Sequence, residues 1–522
     1  MQAQKCKPFT LQGGDVLRAP PAISKVHTVP IFPSFQVARL AQQQHQRRGH
    51  KCSTRAFNLF RAMDDLRRKT VVADISKEFN LDGGLVATSI PRISLVEAEE
   101  WNSLVKAQEE YNPFLSYEFL SALEASGSVS PAEGWMPQHL VLRESGSNGT
   151  KGKLVGAVPL YLKSHSYGEY VFDSSWARYA MMMDIDYYPK LQGCVPFSPV
   201  PGPRLLTHGG QSDRQGKATI QKALATALVQ LMEALKASSV HLTFNSREEA
   251  ELLEECGFMS RIGMQFHWEN DNFKDFDDFL LALKQTKRKS VKQERKSHIA
   301  QGLRIRRLSG DALRAAGPQI WDRFYTFYED TIDRNWGSAY LKPAFFPMLG
   351  DKMADQVMLV VAEEEKDGAW QLVAGSLNLI GSHALFGRNW GQRPGVEFKN
   401  LHFELCYYQA IDEAIARNLP RVEAGAQGQH KLQRGYLPNL TYSSHYFNQP
   451  LLKKAVAQFL EKDRAYIAAA CASLAMQASP FKSERTGALV SAKLKTLANH
   501  VRGTPLELAF NSISEEVDED HQ

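Results

Sequence analysis

Two hydrophobic periods alternate along the chain, and their order occurs twice. The first series comprises strands at 138–143 and 154–162, a helix at 219–236, a strand at 240–244, a helix at 248–255 and a strand at 265–268. The second series comprises strands at 357–363, 371–380 and 384–390, a helix at 400–417, and strands at 421–425 and 441–447. Period 2 is typical of strands and period 3.6 of helices. The pattern predicts an α/β (α+β) fold built from two similar units.

Short residue matches support a duplication. A Leu-Val pair precedes a Ser-His pair by ten positions at both 154–165 and 372–383, and a Gly-aromatic pair follows the last helix at 257–258 and 435–436. Matches that keep the order of the elements are the signature of an internal repeat. We therefore predict tandem domains, each a mixed sheet flanked by helices.

Charge is distributed unevenly along the 522 residues. Residues 1–63 contain ten Lys or Arg and a single acid, Asp15, whereas the whole chain has 62 basic and 57 acidic residues. Subtraction leaves 52 basic and 56 acidic residues after position 63, a net charge of −4. The overall charge of the body therefore gives no argument for nucleic-acid binding.

The basic first 63 residues lack hydrophobic periodicity and an apolar signal core. This composition predicts either an organelle transit peptide or a disordered basic tail. It favours the plastid (chloroplast) stroma, with the mitochondrial matrix or the cytoplasm as alternatives. We expect no membrane span, because no run of about 18 apolar residues occurs. The six cysteines form no C-x-x-C pair, and no histidine pair has zinc spacing, so we predict no metal site.

Residues 273–302 form a predicted basic helical region between the two units. This charge run has two interpretations. It forms either a face that binds a phosphate-bearing substrate or RNA, such as tRNA, or an ordinary solvated helix. The cations concerned are Lys284, Lys287, Arg288, Lys289, Lys292, Arg295 and Lys296.

Several longer runs carry a resemblance to a known family. They are NPFL at 112–115, GAVPLYLKSHSYGEYVF at 156–172, YPKL at 188–191, PFSPV at 196–200, HFELCYYQAI at 402–411 and EAGAQG at 423–428. Together with these runs, the order of elements resembles the GNAT acyltransferase superfamily, and the tandem copy resembles the Fem-type peptidyltransferases. The chain is most similar to the FemAB-like family of bacterial and plant proteins, often labelled peptidoglycan biosynthesis or GNAT N-acetyltransferase.

The resemblance implies GNAT-like domains at 90–270 and 303–465, followed by a helical extension and acidic tail at 466–522. It also implies an N-acyltransferase that moves an acyl group from acyl-CoA, its co-substrate, to a small-molecule or peptide amine. Two alternatives remain open. One is a Fem-like peptidyltransferase that uses aminoacyl-tRNA, and the other is a catalytically inactive GNAT-fold binding module.

The helix at 400–417 supplies the first candidate catalytic group. At 100° per residue, Glu404 lies on an apolar face with Tyr408 and two isoleucines. Desolvation there would raise the pKa of the carboxyl, as a general base near neutrality needs. Tyr407 or Tyr408 would return a proton to the leaving group. The alternative is a buried glutamate that bonds to an arginine or to a strand.

The segment 388–393, Arg-Asn-Trp-Gly-Gln-Arg, stands where the resemblance implies a pyrophosphate-binding loop. Its last position departs from the superfamily pattern, which has a small residue there. The alternative is a surface loop. The predicted cofactor-binding residues are Arg388, Trp390, Gly391, Arg393 and Lys399.

The segment 423–436 combines small and polar residues in the manner of a pocket mouth, or of a strand-to-helix turn that needs its glycines. His430 is a candidate proton shuttle, and Lys431 or Arg434 could hold a substrate carboxylate or phosphate. In other segments, aromatic and cationic residues suit an acceptor wall or merely a rigid loop. The predicted substrate-binding residues are Glu423, Gln427, Lys431, Arg434, Trp336, Arg334, Tyr188 and Lys190.

Overall fold

The computed structural model describes residues 76–146, 151–208, 214–335, 338–425, 428–477 and 479–482. The predicted leader at 1–63 and the predicted acidic tail lie outside these residues, as do Trp336 and Gln427. Within the described ranges the chain forms a mixed α/β structure, which confirms the predicted fold class.

The strands fall into two sheets. One sheet has the order β1-β2-β4-β5-β8, and the other has the order β11-β12-β13-β14-β15-β10-β16-β9-β7-β6-β3. The strands are β1 Glu78–Leu81, β2 Leu85–Ile90, β3 Trp135–Pro137, β4 His139–Glu144, β5 Leu154–Val158, β6 Leu160–Lys163, β7 Lys190–Gly193, β8 Leu206–Thr207, β9 Ser239–Asn245, β10 Met259–Glu269, β11 Leu303–Leu308, β12 Val357–Lys366, β13 Ala369–Ile380, β14 Ala384–Gln392, β15 Arg421–Glu423 and β16 Leu437–Phe447.

Helices cover both faces of the larger sheet. A π-helical turn, Glu404–Tyr408, interrupts the predicted helix at 400–417. The predicted extension at 466 is part of a long helix that already begins at Pro450. The helices are α1 Ala98–Lys106, α2 Tyr117–Ala125, α3 Ser174–Met182, α4 Arg214–Ala234, α5 Arg247–Glu255, α6 Phe276–Ala282, α7 Gln285–Ala300, α8 Gly310–Ala315, α9 Gln319–Asn335, α10 Phe345–Met353, α11 Leu401–Phe403, α12 Gln409–Ala416 and α13 Pro450–Gln477.

The predicted strand at 154–162 is two strands in different sheets. β5 pairs with β4 in the smaller sheet, whereas β6 pairs with β3 and β7 in the larger sheet. Pro159 separates the two strands, and proline cannot donate a ladder hydrogen bond. The break therefore lets the chain change sheets within one apolar run.

The two halves of the chain exchange strands. β10 belongs to the first half by sequence, yet it pairs with β15 of the second half; β16 of the second half pairs with β9 of the first. β10 and β16 are antiparallel neighbours at the centre of the sheet. On either side of this centre lies a parallel pair, β7 with β9 and β14 with β15. The larger sheet is thus one continuous structure to which both halves contribute, and the predicted domain boundaries stay predictions.

Alternation along the central strands divides their residues between two faces. Val422, Phe266 and Trp268 belong to the core cluster beneath α11, α12 and the π-helical turn. Phe386 belongs to the cluster on the opposite face, which also contains side chains of α1, α2, α9 and α10. Glu423 and His267, next in sequence to the first group, therefore point to the second face. Among the described residues, no helix has the length and apolar character needed to cross a membrane.

Candidate functional site

Glu423 is the last residue of β15, at the point where the strand leaves its parallel neighbour. Phe386 of β14 is its partner in the ladder, and β14 continues to Gln392 without further pairing to β15. Parallel strands that separate in this way leave a crevice at their carboxyl ends, which is the usual ligand position in α/β sheets. The topology therefore places the Glu423 carboxylate at the mouth of a strand junction.

The Glu423 carboxyl is buried and only partly hydrogen-bonded. Its Oε1 accepts a 3.0 Å hydrogen bond from Arg421 Nε, whereas Oε2 has no hydrogen-bond partner among the described residues. Burial raises the pKa of Glu423 to about 7, although Arg421 acts in the opposite direction. The carboxyl can therefore gain or lose a proton near neutral pH, as a general base must.

Polar groups from the exchanged strand lie on the same face. His267 is directly opposite Glu423 in the β10–β15 ladder, and its Nε2 lies 3.2 Å from Gln265 Oε1. The Gln265 amide donates to the carbonyl of Pro199 at 2.7 Å. This carbonyl belongs to the proline-rich loop of the first half, so both halves contribute to the surroundings of Glu423.

The backbone at Gly425, two residues after Glu423, is open to close approach by another molecule. Gly425 has a left-handed φ of 77°, and a Cβ placed there would meet no atom within 4 Å. Lys431 Nζ donates to the Gly425 carbonyl at 2.9 Å and is buried. Desolvation lowers the pKa of Lys431 to about 7. Two groups that titrate near neutrality are thus associated with Gly425: Glu423 lies two residues before it, and Lys431 bonds to its carbonyl.

His430 connects the surface to buried aromatic groups. The hydroxyl of Tyr407 lies 2.8 Å from His430 Nε2 and 3.4 Å from His402 Nε2. Desolvation lowers the pKa of His402 to about 4 and also lowers the pKa of His430. The three side chains form a chain of hydrogen-bonding groups that can pass a proton, with His430 as its exposed end.

The environment of Glu404 corresponds to the alternative of a buried glutamate bound to an arginine. Its Oε1 accepts from Gln409 at 2.8 Å and lies 3.4 Å from Arg295 NH2, which also contacts Asp412 at 2.5 Å. Burial raises the pKa of Glu404, but the carboxyl is 1% exposed and is directed towards α7. The π-helical turn adds a residue to the local repeat, so the 100° spacing fails here. Glu404 and Glu423 lie on opposite faces of the sheet.

Tyr408 and Arg434 share a partner on α7. The Tyr408 hydroxyl donates to Glu294, and Arg434 binds the same carboxylate through two nitrogens at 2.9 and 3.1 Å. Burial raises the pKa of Tyr408 far above its usual range. Arg434 also lies over the ring of Phe403 at 3.4 Å. These contacts hold α7 against the π-helical turn and leave Arg434 without a free carboxylate-binding edge.

Most of the predicted pyrophosphate loop, residues 388–393, is part of a strand. β14 extends to Gln392, so Trp390 and Gly391 pair with Ser376 and Gly375 of β13. A Cβ at Gly391 would lie 2.3 Å from the Phe327 backbone, so close packing of α9 explains this glycine. The segment 388–391 is therefore a strand and does not form a loop of free N–H groups around a phosphate.

The side chains proposed for the phosphate have other contacts. Arg388 occupies a ladder irregularity and donates to the Phe197 carbonyl of the first half. Arg393 forms a 3.0 Å ion pair with Glu364. The Lys399 carbonyl accepts from Ser297 of α7, while its side chain is exposed. The described contacts do not bring these three cations together.

The remaining predicted residues lie elsewhere. The Tyr188 hydroxyl lies 2.8 Å from Ser166 Oγ, and Lys190 is part of a buried ion-pair cluster in the first half. Arg334 is exposed and pairs with Asp330 one helical turn away. Trp336 and Gln427 are outside the described residues. The acceptor wall predicted from these groups is therefore not assembled around Glu423.

The basic helix α7 has two chemically different faces. Its inner face supplies Glu294 and Arg295 to the contacts above. Lys284 donates to a backbone carbonyl, and Lys292 lies 3.3 Å from Asp277. Four cations have no ion-pair partner among the described residues: Lys287, Arg288, Lys289 and Lys296.

Sequence reasoning missed His267, Gln265 and His402. The first two occur on the last strand of the first half, and no local pattern shows that this strand crosses to the second half. His402 lies next to the glutamate that drew attention to the helix. The spacing of His402 from Tyr407 would have marked it, had the π-helical turn been predicted.

Comparison with solved structures gives several distant likenesses. The crystal structure of FemX matches at 10% identity and a TM-score of 0.43, covering 69% of this chain and 98% of that chain. L-PGS from Bacillus licheniformis matches at 9% identity and a TM-score of 0.39, covering 70% and 97%. A tandem GNAT protein from the clavulanic acid pathway matches at 12% and 0.35, covering 70% and 99%. Values this low establish no shared activity.

None of the curated proteins compared with this chain matches it. A family model is more informative, because it matches residues 92–483, well over half of the chain. That model is FemAB-like, described as peptidoglycan biosynthesis/recognition. The chain therefore belongs to the FemAB-like family, a membership that supports an acyl- or aminoacyl-transferase type of function.

Proposed function

We propose that the protein transfers an acyl or aminoacyl group from an activated ester to an amine, with Glu423 as the general base. The single observation that carries this proposal is the Glu423 carboxyl itself: buried at a strand junction, half hydrogen-bonded, with a pKa raised to about 7. The family membership supports the same class of reaction.

The chemistry needs one proton acceptor and one proton donor. The amine nitrogen attacks the acyl carbon and transfers a proton to Glu423, while the bond to the leaving oxygen or sulfur breaks. Protonated Lys431 supplies the proton that the leaving group takes up. Glu423 lies two residues before Gly425, which borders open space, and Lys431 Nζ donates to the Gly425 carbonyl at 2.9 Å. General acid–base catalysis of this kind typically contributes about 10²–10⁴-fold.

The choice of acyl-CoA as donor has less support than the reaction class. The segment expected to hold its pyrophosphate, 388–391, is a paired strand, and Arg393 is bound to Glu364. These residues do not fit a backbone cradle for a phosphate group. The proposed reaction therefore requires only an activated acyl carbonyl and does not depend on bound CoA.

The decisive experiment compares two glutamates on opposite faces of the sheet. Purified wild type, Glu423→Gln and Glu404→Gln are incubated with acetyl-CoA and a panel of primary amines, and separately with alanyl-tRNA and amine-bearing peptides. We expect Glu423→Gln to lower transfer by about 10²–10³-fold, because the amide accepts no proton at neutral pH. Glu404→Gln should keep transfer within a few-fold of wild type and lower the melting temperature.

The opposite pattern would overturn the assignment. If Glu404→Gln loses transfer at an unchanged melting temperature while Glu423→Gln stays active, the base is Glu404. If no donor supports transfer by the wild type, the result contradicts the proposed reaction and favours a catalytically inactive binding module. Near-ultraviolet circular dichroism of each variant separates loss of chemistry from loss of folding.

One observation favours the aminoacyl-tRNA version of the reaction. α7 exposes Lys289 and Lys296 without an acidic partner among the described residues, while its inner face contacts the π-helical turn, whose Tyr407 lies 2.8 Å from His430. Unpaired cations on one helical face suit the closely spaced phosphates of RNA. We therefore propose aminoacyl-tRNA as the second candidate donor.

A charge-reversal pair tests this donor. Lys289→Glu with Lys296→Glu should weaken tRNA binding by at least about tenfold at low salt, because two phosphate contacts are lost. The matched control is Lys454→Glu with Lys462→Glu, two exposed lysines of α13 that give the same change in net charge. Equal effects from both pairs would show that only net charge matters.

A further inference from the structure

A second cluster of buried charge lies in the first half, away from Glu423. Lys163, the last residue of β6, is directly opposite Lys190, the first residue of β7. Both side chains are fully buried, with a side-chain exposure of 0%. Two like charges opposite each other in a ladder destabilise a sheet, and burying them is costly unless anions lie between them. The pair therefore requires negative charge at this position.

The negative charge comes from the connection between the two strands. Lys190 Nζ contacts Glu169 Oε2 at 2.7 Å and Asp173 Oδ2 at 2.5 Å, and Lys163 Nζ lies 3.8 Å from Glu169 Oε1. Both carboxylates belong to residues 164–189, which link β6 to β7. The sheet supplies the cations, and a separate segment supplies the anions.

This connection is far longer than its task requires. Adjacent antiparallel strands are usually joined by about two to five residues, whereas 26 residues lie between Lys163 and Lys190. Few of its apolar side chains are buried, mainly Trp176, Ala180 and Tyr187. Elements with little buried apolar surface are the ones that open locally at low cost. The 164–189 insertion has the character of a removable cover.

The cover satisfies the cluster incompletely. Glu169 Oε1, Asp173 Oδ1 and Trp176 Nε1 are buried and have no hydrogen-bond partner among the described residues. The backbone is left-handed at Tyr170, with φ of 59°, and at Asp184, with φ of 56°. Unpaired buried polar atoms and left-handed non-glycine residues each cost free energy. The closed position of the insertion is therefore less favourable than its ion pairs suggest.

The outer side of the insertion is unusually apolar. Phe172, Met181 and Met182 are 56%, 57% and 79% exposed. These side chains stay largely exposed in the closed position. Displacement of the insertion would lose the ion pairs and the packing of Trp176, Ala180 and Tyr187 against Phe447 and α13.

We propose that Lys163 and Lys190 form an anion-binding site, which Glu169 and Asp173 occupy while the insertion is closed and which a phosphate- or carboxylate-bearing ligand occupies when the insertion is displaced. Two ammonium groups directly opposite each other on neighbouring strands match a small multivalent anion. This site does not depend on the transfer reaction proposed above.

The test removes the internal anions and measures binding of inorganic pyrophosphate by titration calorimetry. The full chain carrying Glu169→Gln and Asp173→Asn should bind pyrophosphate at least about tenfold more tightly than wild type. Adding Lys190→Met should abolish this gain. Asp311→Asn with Asp355→Asn, two exposed carboxylates that pair with Arg314, is the control with the same change in net charge. A folded double variant that binds no better than this control overturns the proposal.

A second measurement covers a double variant that does not fold. In wild type, hydrogen exchange of backbone amides at 164–189 is compared with pyrophosphate and with sodium chloride of equal ionic strength. Pyrophosphate should increase exchange in the insertion, because ligand and insertion compete for the same lysines. Unchanged or slower exchange would overturn the proposal, since the insertion would then be a fixed part of the sheet.

Discussion

The two parallel strand junctions of the larger sheet share one topology but differ in their side chains. At the first junction, His241 of β9 is directly opposite His445 of β16; at the second, Glu423 of β15 is directly opposite His267 of β10. Each of these ladders joins a junction strand to a strand of the other half. The comparison shows that a shared scaffold fixes where a site can form, while individual residues decide whether it does.

The first junction is closed by its own residues. His241 Nδ1 lies 2.7 Å from His445 Nδ1, and the Trp176 ring packs edge-on against His445 at 4.9 Å. Burial lowers the pKa of His241 to about 3. The left-handed position near the end of β9 is Phe244, whose ring is buried, whereas Gly425 holds the left-handed position after β15. The second junction therefore has no bulky side chain at its left-handed position.

Apart from Glu423→Gln, Lys431→Met should lower transfer the most among the substitutions at the second junction. With Glu423 protonated below about pH 7 and Lys431 deprotonated above about pH 7, wild-type kcat/KM should follow a bell centred near pH 7. Removal of the Lys431 proton donor should lower kcat/KM by about 100-fold and abolish the alkaline limb. The measurement is a pH profile of transfer from roughly pH 5.5 to 8.5. An alkaline limb that survives in the variant would show that another group donates the proton.

Substitution of one histidine at each junction, His267 or His445, tests whether the two junctions differ in function. His267→Gln should lower transfer by about tenfold, because the substituted side chain lies opposite the base. His445→Gln should leave transfer within about twofold and destabilise the fold by about 1–3 kcal/mol, because His241 loses a buried partner. Steady-state kinetics and urea unfolding distinguish the two outcomes. Equal loss of transfer in both variants would contradict the division of roles.

Gly425→Ala gives the smallest expected effect. The methyl group would meet open space, but the φ of 77° disfavours any residue with a Cβ, at a cost of about 1 kcal/mol. We expect a small fall in unfolding free energy and a change in transfer of a few-fold at most, measured by urea unfolding and initial rates. A loss of transfer above tenfold would mean that substrate backbone or acyl groups contact this Cα directly.

Much of the fold could be predicted from the sequence. The hydrophobic periods at 219–236 and 240–244 correspond closely to α4 and β9, because each element buries one regular face. The apolar run 154–162 predicts a single strand, whereas Pro159, which cannot donate a ladder hydrogen bond, divides it into β5 and β6. The exchange of β10 and β16 had no local signal, since both strands have the same pattern whichever neighbour they join.

The site was only partly predictable for related reasons. Glu423, His430 and Lys431 were identified as polar groups beside small residues, and the strand topology that places Glu423 at the end of β15 supports the proposal that it is the base. For Glu404, helical spacing indicates an apolar face but not the inserted residue of a π-helical turn. For Gly391, a glycine required by close helix packing has the same sequence appearance as one required by a ligand, so its role in binding stays a prediction.

The crossed strands β10 and β16 also bear on the history of the gene. A symmetric pair of ancestral chains that traded their final strands would produce the same mirrored order, and fusion would turn an exchange between molecules into one within a molecule. Each half of the chain supplies a strand that the other half needs. Deleting the first half would remove β10 from between β15 and β16 and leave two unpaired strand edges in mid-sheet.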